Sequence, residues 1–314
     1  MIKMVGTFTV AAKEFKDHFG SKRFLILFGL LLLISTLSAY QGADFIRDYE
    51  EMSFLNIFSG TKFDFSFIQI MVFFGPLLGL ALGFDAINKE RAHGTLSMLL
   101  GQPLFRDSVL NGKFIAGAIA LATITFGTIG IVSGLAIPMI GFGPTGAEAA
   151  KILAFTMLTV AYLLFWLSLG MLYSVLANKT STSLMVSIAT WLTFSILIGI
   201  LASAIAGVMM PLPGGDFRIL ADKDDIKEAP EFMKTEKQRH VLQSNIENLS
   251  PTNLYEKAAS DILSEGFDKY KRVRNLTEVL AANWANISTI VVGLIICFSA
   301  SYIRFLRSEI RPGD

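Results

Sequence analysis

Apolar residues in this chain are gathered in blocks, with polar residues collected between them. A membrane crossing takes about 20 mostly apolar residues, and six blocks approach or meet that length. They are Phe24–Tyr40, Phe65–Ala86, Phe114–Ile140, Ile152–Ala177, Leu184–Met210 and Ile287–Tyr302. Lipid offers no hydrogen bonds to a backbone, so such runs are predicted to be helices. The first block follows 23 patterned residues and no small-residue cleavage site comes after it, which reads as an uncleaved span rather than a signal peptide. The predicted fold class is an all-α integral membrane protein with six transmembrane helices.

The positions of Lys and Arg predict the orientation. Six spans put both termini on one side. The segments of that side (1–23, 87–113, 178–183 and 303–314) hold thirteen Lys/Arg, against three in the opposite short segments 41–64 and 141–151. The third opposite segment, 211–286, exceeds the roughly 60-residue limit of the rule. Both termini are therefore expected in the cytoplasm, with the chain multi-pass in the plasma membrane.

Composition narrows the class further. The chain has 314 residues, 53% hydrophobic and only 17% charged, with net charge +1. Soluble domains carry roughly 25% charge, and nucleic-acid binders carry a basic surface, so both classes are disfavoured. The single Cys297 excludes a disulfide framework, and His18, His93 and His240 are too scattered for a metal-ligand pattern, so no metal or other cofactor is expected on this chain. The last four spans contain no Asp, Glu, Lys, Arg or His. Proton relays, ion paths and voltage sensors need such groups inside the membrane. With no P-loop pattern G-x-x-x-x-G-K-[ST] either, any uphill transport must draw its energy from another subunit, and no catalytic residue is assigned.

Small residues mark helix packing. Gly75, Gly79 and Gly83 recur every fourth position in span two, and Gly130 and Gly134 do so in span three. That spacing lets backbones approach closely. Pro76 removes one helical hydrogen bond and is expected to kink span two.

Two segments on the cytoplasmic side stand out. In residues 1–23, Val5, Phe8, Ala12, Phe15 and Phe19 occupy one helical face, and Lys13, Lys16, Asp17 and His18 lie off it. This predicts an amphipathic helix in the headgroup plane, with His18 on its solvated side. In 87–113, Leu96, Leu99 and Leu100 form an i, i+3, i+4 cluster. Thr95 is placed to cap its start, and Gly101-Gln102-Pro103 ends it. A short amphipathic helix of this kind fits a groove on a partner or lies on the bilayer.

Glu90, Gly94-Thr95-Leu96, Leu99-Leu100 and Pro103, followed by Gly112-Lys113 at the opening of span three, resemble the conserved cytoplasmic loop of ABC transporter permeases of the second, exporter type. The chain departs from that pattern at Ser97, where the family often has Glu. In motif the resemblance covers about 25 residues, and in topology all six spans. It implies a membrane subunit that works as a homodimer with a separate cytoplasmic ATPase, which would hold ATP and Mg. It also implies a coupling helix that inserts into that ATPase, with Glu90, Arg91, Gly94, Thr95, Leu96, Leu99, Leu100 and Pro103 as the coupling residues.

The polar segment 211–286 opens on Pro211-Leu212-Pro213-Gly214-Gly215 and then carries 11 Lys/Arg and 13 Asp/Glu. Leu242, Ile246 and Leu249 repeat at helical spacing, as do Leu254, Ala258 and Ile262 after the Ser250-Pro251-Thr252-Asn253 helix start. A small external helical domain is predicted. The chain thus divides into an interfacial helix (1–23), spans one to five with the coupling loop 87–113 (24–210), the external domain (211–286), and span six with its tail (287–314). The expected function is export of an amphipathic or lipid-linked molecule. The alternative is a membrane scaffold that anchors a cytoplasmic partner without transport.

Overall fold

The computed structural model describes residues 2–48, 53–59, 66–92, 105–211, 229–264 and 274–307. Among the described residues there are only helices, turns and connecting segments. The N-terminal helix α1 is Ile2–Gly20, and α2 is Lys22–Asp48. A single turn, α3 (Asn56–Ser59), precedes α4 (Phe67–Gly83) and the short α5 (Asn88–Ala92). Next come α6 (Arg106–Ile140) and α7 (Gly146–Leu176). The fifth span is α8 (Thr180–Leu192), a π-helical turn at Thr193–Leu197, and α9 (Ile198–Met209). Then follow α10 (Ala229–Glu247), α11 (Pro251–Leu263), α12 (Leu276–Ala282) and α13 (Trp284–Arg307).

Six of these stretches are long and apolar enough to cross a membrane: Lys22–Arg47, Phe67–Ala92, Arg106–Ile140, Gly146–Leu176, Thr180–Met209 and Trp284–Arg307. Each overlaps one of the six apolar blocks. Several run past their apolar limits, because a helix continues through polar residues wherever a cap does not stop it. α6 starts at Arg106, a full two turns ahead of Phe114. Where caps exist, the ends are sharp. Gly141 ends α6 with φ +91°, and its N–H donates to the Ile137 carbonyl. Thr145 then opens α7 in a reciprocal capping box with Glu148. Ser66 and Gln69 do the same for α4, which continues through Pro76 without a break.

Spans two and four form the centre of the bundle. The apolar window of span two is 72% buried inside the subunit, whereas that of span five is 11% buried and faces outward. Trp166, Tyr162, Phe155 and Phe67 are fully enclosed at this centre. On the face away from α1, Glu148 accepts hydrogen bonds from Ser53 Oγ and the Phe54 amide, which pins the first inter-span segment to the head of α7.

The segment between spans five and six is helical, but its described part does not stand apart from the bundle. The apolar face of α11 (Leu254, Tyr255, Ala258, Ala259, Ile262, Leu263) is buried. Tyr255 stacks on Tyr162 of span four at 4.2 Å and 7°, and its hydroxyl lies 2.9 Å from Thr159 Oγ1. The sequence shows that apolar face without showing what covers it, and the cover is α7.

Candidate functional site

On the α1 face of the bundle, three elements meet on one ammonium group. Lys113, two turns into α6, is 6% exposed, and its Nζ donates to Glu14 Oε1 of α1 at 2.8 Å and to Glu90 Oε1 of α5 at 3.5 Å. Glu14 and Glu90 are 12% and 15% exposed. Neighbouring Gly112 makes the approach possible: a Cβ there would lie 2.7 Å from Val10 Cβ and 2.9 Å from the Thr7 carbonyl. α1 therefore uses two faces. Val10 and Ala11 are buried on the side toward α6, and Phe8 on the predicted stripe is 61% exposed. Phe15 and Phe19 are half-buried; their rings pack in a tilted pair, and Phe19 meets Phe24 at the head of α2 edge to face.

A second ion pair lies beside the first. Arg23, at the start of α2, reaches Asp85 Oδ2 at 2.7 Å and covers the Phe84 ring. Glu14, Asp17, His18, Asp85, Lys89 and Lys113 are among the residues around a cavity of about 90 Å³ between these pairs, which has room for about three waters. Burial holds the His18 imidazole below its ordinary value; Lys113 acts in the same direction, and Glu14, Asp85 and Asp17 oppose it. His18 is thus half-buried in a charged cluster, where the sequence placed it on a solvated face.

The stretch that leads from span two into the predicted coupling loop is held from the other side by spans four and five. The amides of Ile87 and Asn88 donate to Ser174 Oγ at 2.9 and 3.1 Å, and Ser183 Oγ donates to the Phe84 carbonyl at 2.7 Å. Arg91 Nη1 reaches the Ala177 carbonyl at 3.4 Å. The Asn88 side chain is buried with neither amide atom hydrogen-bonded. Of the predicted coupling residues, Glu90 and Arg91 are thus placed in this junction, and Gly94, Thr95, Leu96, Leu99, Leu100 and Pro103 lie outside the described residues.

The five predicted packing glycines divide into two groups. A Cβ on Gly75 would meet Leu163 Cδ2 at 2.9 Å. On Gly79 it would meet the Leu163 carbonyl at 2.7 Å, and on Gly83 the Leu167 carbonyl at 2.6 Å. These three are the seam between spans two and four. Gly130 and Gly134 have nothing within 4 Å of such a Cβ, so they make no close helix contact inside this subunit. Spacing alone does not separate the two cases.

The geometry is that of a junction where three helical elements meet on shared ion pairs. Among the described residues there is no cluster of His, Cys, Asp and Glu that could hold a metal ion. Lys113 pairs with Glu14 and Glu90, and these contacts join the N-terminal helix, the exit of span two and the entrance of span three.

A family profile described as ABC-2 family transporter protein matches residues 8–310. Over 200 residues the chain is 29% identical to the probable ABC transporter permease protein NosY of Pseudomonas aeruginosa, covering 63% of this chain and 70% of that protein. It is 31% identical over 113 residues to the protein of the same name from Stutzerimonas stutzeri, covering 36% of this chain and 39% of the relative.

Proposed function

The chain belongs to the ABC-2 family of transporter proteins and is the membrane subunit of an ABC transporter; from that premise we propose that it couples ATP hydrolysis on a separate cytoplasmic ATPase to export. Two copies would enclose the path, and one ATPase would sit under each. The α1 face is taken as cytoplasmic on the Lys/Arg distribution, and α1 as lying at the headgroup level with Phe8 toward lipid. ATP and Mg belong to the partner, which supplies the motor. An amphipathic or lipid-linked cargo is the class favoured by the apolar spans.

The observation that carries this reading is the position of Lys113 between Glu14 and Glu90. In the sequence, residues 93–104 link Glu90 and Arg91 to the start of α6, which carries Lys113. Any displacement of that loop by a partner is therefore delivered to span two, span three and α1 at once. A buried pair of this kind resists separation, because parting it leaves a desolvated charge. The junction suits the transmission of a push.

The test is purification in detergent together with the candidate ABC ATPases of the same organism. A stable complex is expected, and replacement of Leu96, Leu99 and Leu100 by Glu should release the ATPase. Absence of a complex, or a complex that survives the triple replacement with unchanged ATP turnover, would overturn the reading. A complex whose turnover answers to no cargo at all would favour the scaffold.

A further inference from the structure

The spans carry few ionisable residues of their own, yet ionisable residues reach their depth by another route. α10 runs antiparallel to α9, with the Arg239 guanidinium 3.4 Å from the point where a Cβ on Gly207 would lie. The chain turns at 248–250 and returns as α11. At the turn, Ser250 Oγ donates to the Phe194 carbonyl at 2.6 Å, in the π-helical turn of span five. Phe194 is near the centre of Thr180–Met209, and Tyr162, on which Tyr255 stacks, is near the centre of Gly146–Leu176. About 15 residues at 1.5 Å per residue separate each from its helix end, roughly 20 Å. The hydrocarbon layer is about 30 Å thick, so the tip of the α10–α11 hairpin reaches the middle of the span region from the face opposite α1.

This hairpin is polar. α10 reads APEFMKTEKQRHVLQSNIE, and Lys237, Gln238, His240, Asn245 and Asn248 are exposed along it and its turn. Its polar groups are cross-braced at the tip. Lys257 Nζ donates to Asn248 Oδ1 and Ser244 Oγ at 2.6 and 2.8 Å, and Gln243 Nε2 donates to Glu247 Oε1 at 2.8 Å. A cleft of about 410 Å³ lies against the helix, lined by Met210, Lys237, Gln238, Val241, Leu242 and Asn245. Lipid cannot solvate such a surface. Polar groups at membrane depth persist only where they are buried in protein or line water, and these side chains are not buried.

We infer that the α10–α11 hairpin lines a water-filled vestibule that opens on the face opposite α1 and reaches the middle of the bilayer, and that the cargo passing it has a hydrophilic part. The vestibule rests on the chain spanning the membrane. The statement about cargo rests additionally on the transport reading above. Within that reading, the polar wall of α10 meets the cargo's head and the apolar wall of span five meets its tail.

The experiment is thiol accessibility in the assembled transporter in proteoliposomes, on a Cys297→Ala background. A charged, membrane-impermeant methanethiosulfonate is added from the side opposite α1. Asn245→Cys and Asn248→Cys should react within about tenfold of the rate at an exposed loop position. Ile295→Cys, exposed at the middle of span six, should react at least a hundredfold more slowly. Equal slowness at all three overturns the vestibule, whether lipid or a second protein surface covers α10. Should the cysteine variants not assemble, hydroxyl-radical footprinting of the unsubstituted protein replaces them: Val241 and Leu249 should be oxidised and Ile295 spared, and protection of all three overturns it. ATP turnover of the same preparations keeps the two readings apart. Failed labelling with intact coupling removes the vestibule alone, and failed coupling with intact labelling removes the export reading alone.

Discussion

The ammonium of Lys113 sits 2.8 Å from the carboxylate of Glu14, ninety-nine residues earlier in the chain, and is 6% exposed. Glu90 shares it at 3.5 Å. One cation serves two carboxylates, so removing it leaves both without that partner in a largely buried place. Lys113→Met is therefore expected to destabilise the subunit by about 3–5 kcal/mol, the range for breaking a buried pair. Glu14→Gln should cost less, because Glu90 remains on the cation. Denaturant titration in detergent measures both, and a Lys113→Met subunit as stable as the parent would sink the account.

The glycines of span two make a second, sharply graded prediction. Gly79→Ala and Gly83→Ala place a methyl 2.7 and 2.6 Å from backbone carbonyl oxygens of span four, neither of which can rotate away. Each should cost about 1–3 kcal/mol, as overpacking does. Gly130→Ala and Gly134→Ala meet open space within the subunit and should leave its unfolding unchanged. A loss of transport in either would then report contact with another molecule. Thermal unfolding of the four variants, set beside transport, checks both halves.

Replacing Tyr255 tests whether α11 is part of the bundle. Its ring is fully buried against Tyr162, and its hydroxyl meets Thr159. Tyr255→Ala should cost about 3–5 kcal/mol, the usual loss for a buried aromatic, and it should expose the 229–264 segment to protease. Tyr255→Phe keeps the stack and should lose only about 1 kcal/mol with the hydrogen bond. If Tyr255→Ala leaves both stability and proteolysis unchanged, α11 does not pack on span four.

How far the fold could be read from the sequence depends on how local each signal is. The six spans were legible because twenty adjacent apolar residues admit few other states. The start of α11 was legible too, since Ser250-Pro251 is a local signal and Ser250 indeed caps it, accepting from the Thr252 amide. What could not be read was pairing. Nothing local joins Glu14 to Lys113. His18 reads as solvated in the sequence because the groups around it, Phe24, Asp85 and Lys113, come from α2, from the turn after α4 and from α6. The charge-free spans suggested an uncharged membrane interior, but the hairpin that carries charge to mid-depth lies elsewhere in the sequence.

The environment of His18 sets a pH dependence. The groups that surround it are Glu14 and Asp17 on its own helix, Asp85 after α4, and Lys113 on α6. Arg23, Lys89 and Glu90 line the same cavity. Burial is the largest influence and favours the neutral ring, so the folded protein takes up this proton at lower pH than the unfolded chain, whose value is 6.5. Stability rises with pH wherever the unfolded state binds more protons. The contribution of His18 is accordingly complete above 6.5 and is lost as pH falls below it toward the folded value. Unfolding followed in detergent from pH 7.5 to 5.5 should show stability declining on the acid side. His18→Gln, which is neutral throughout, should flatten that part of the profile while leaving the Lys113 pair in place. Superimposable profiles for the parent and His18→Gln would show that the imidazole titrates alike in both states, contrary to its burial among these charges.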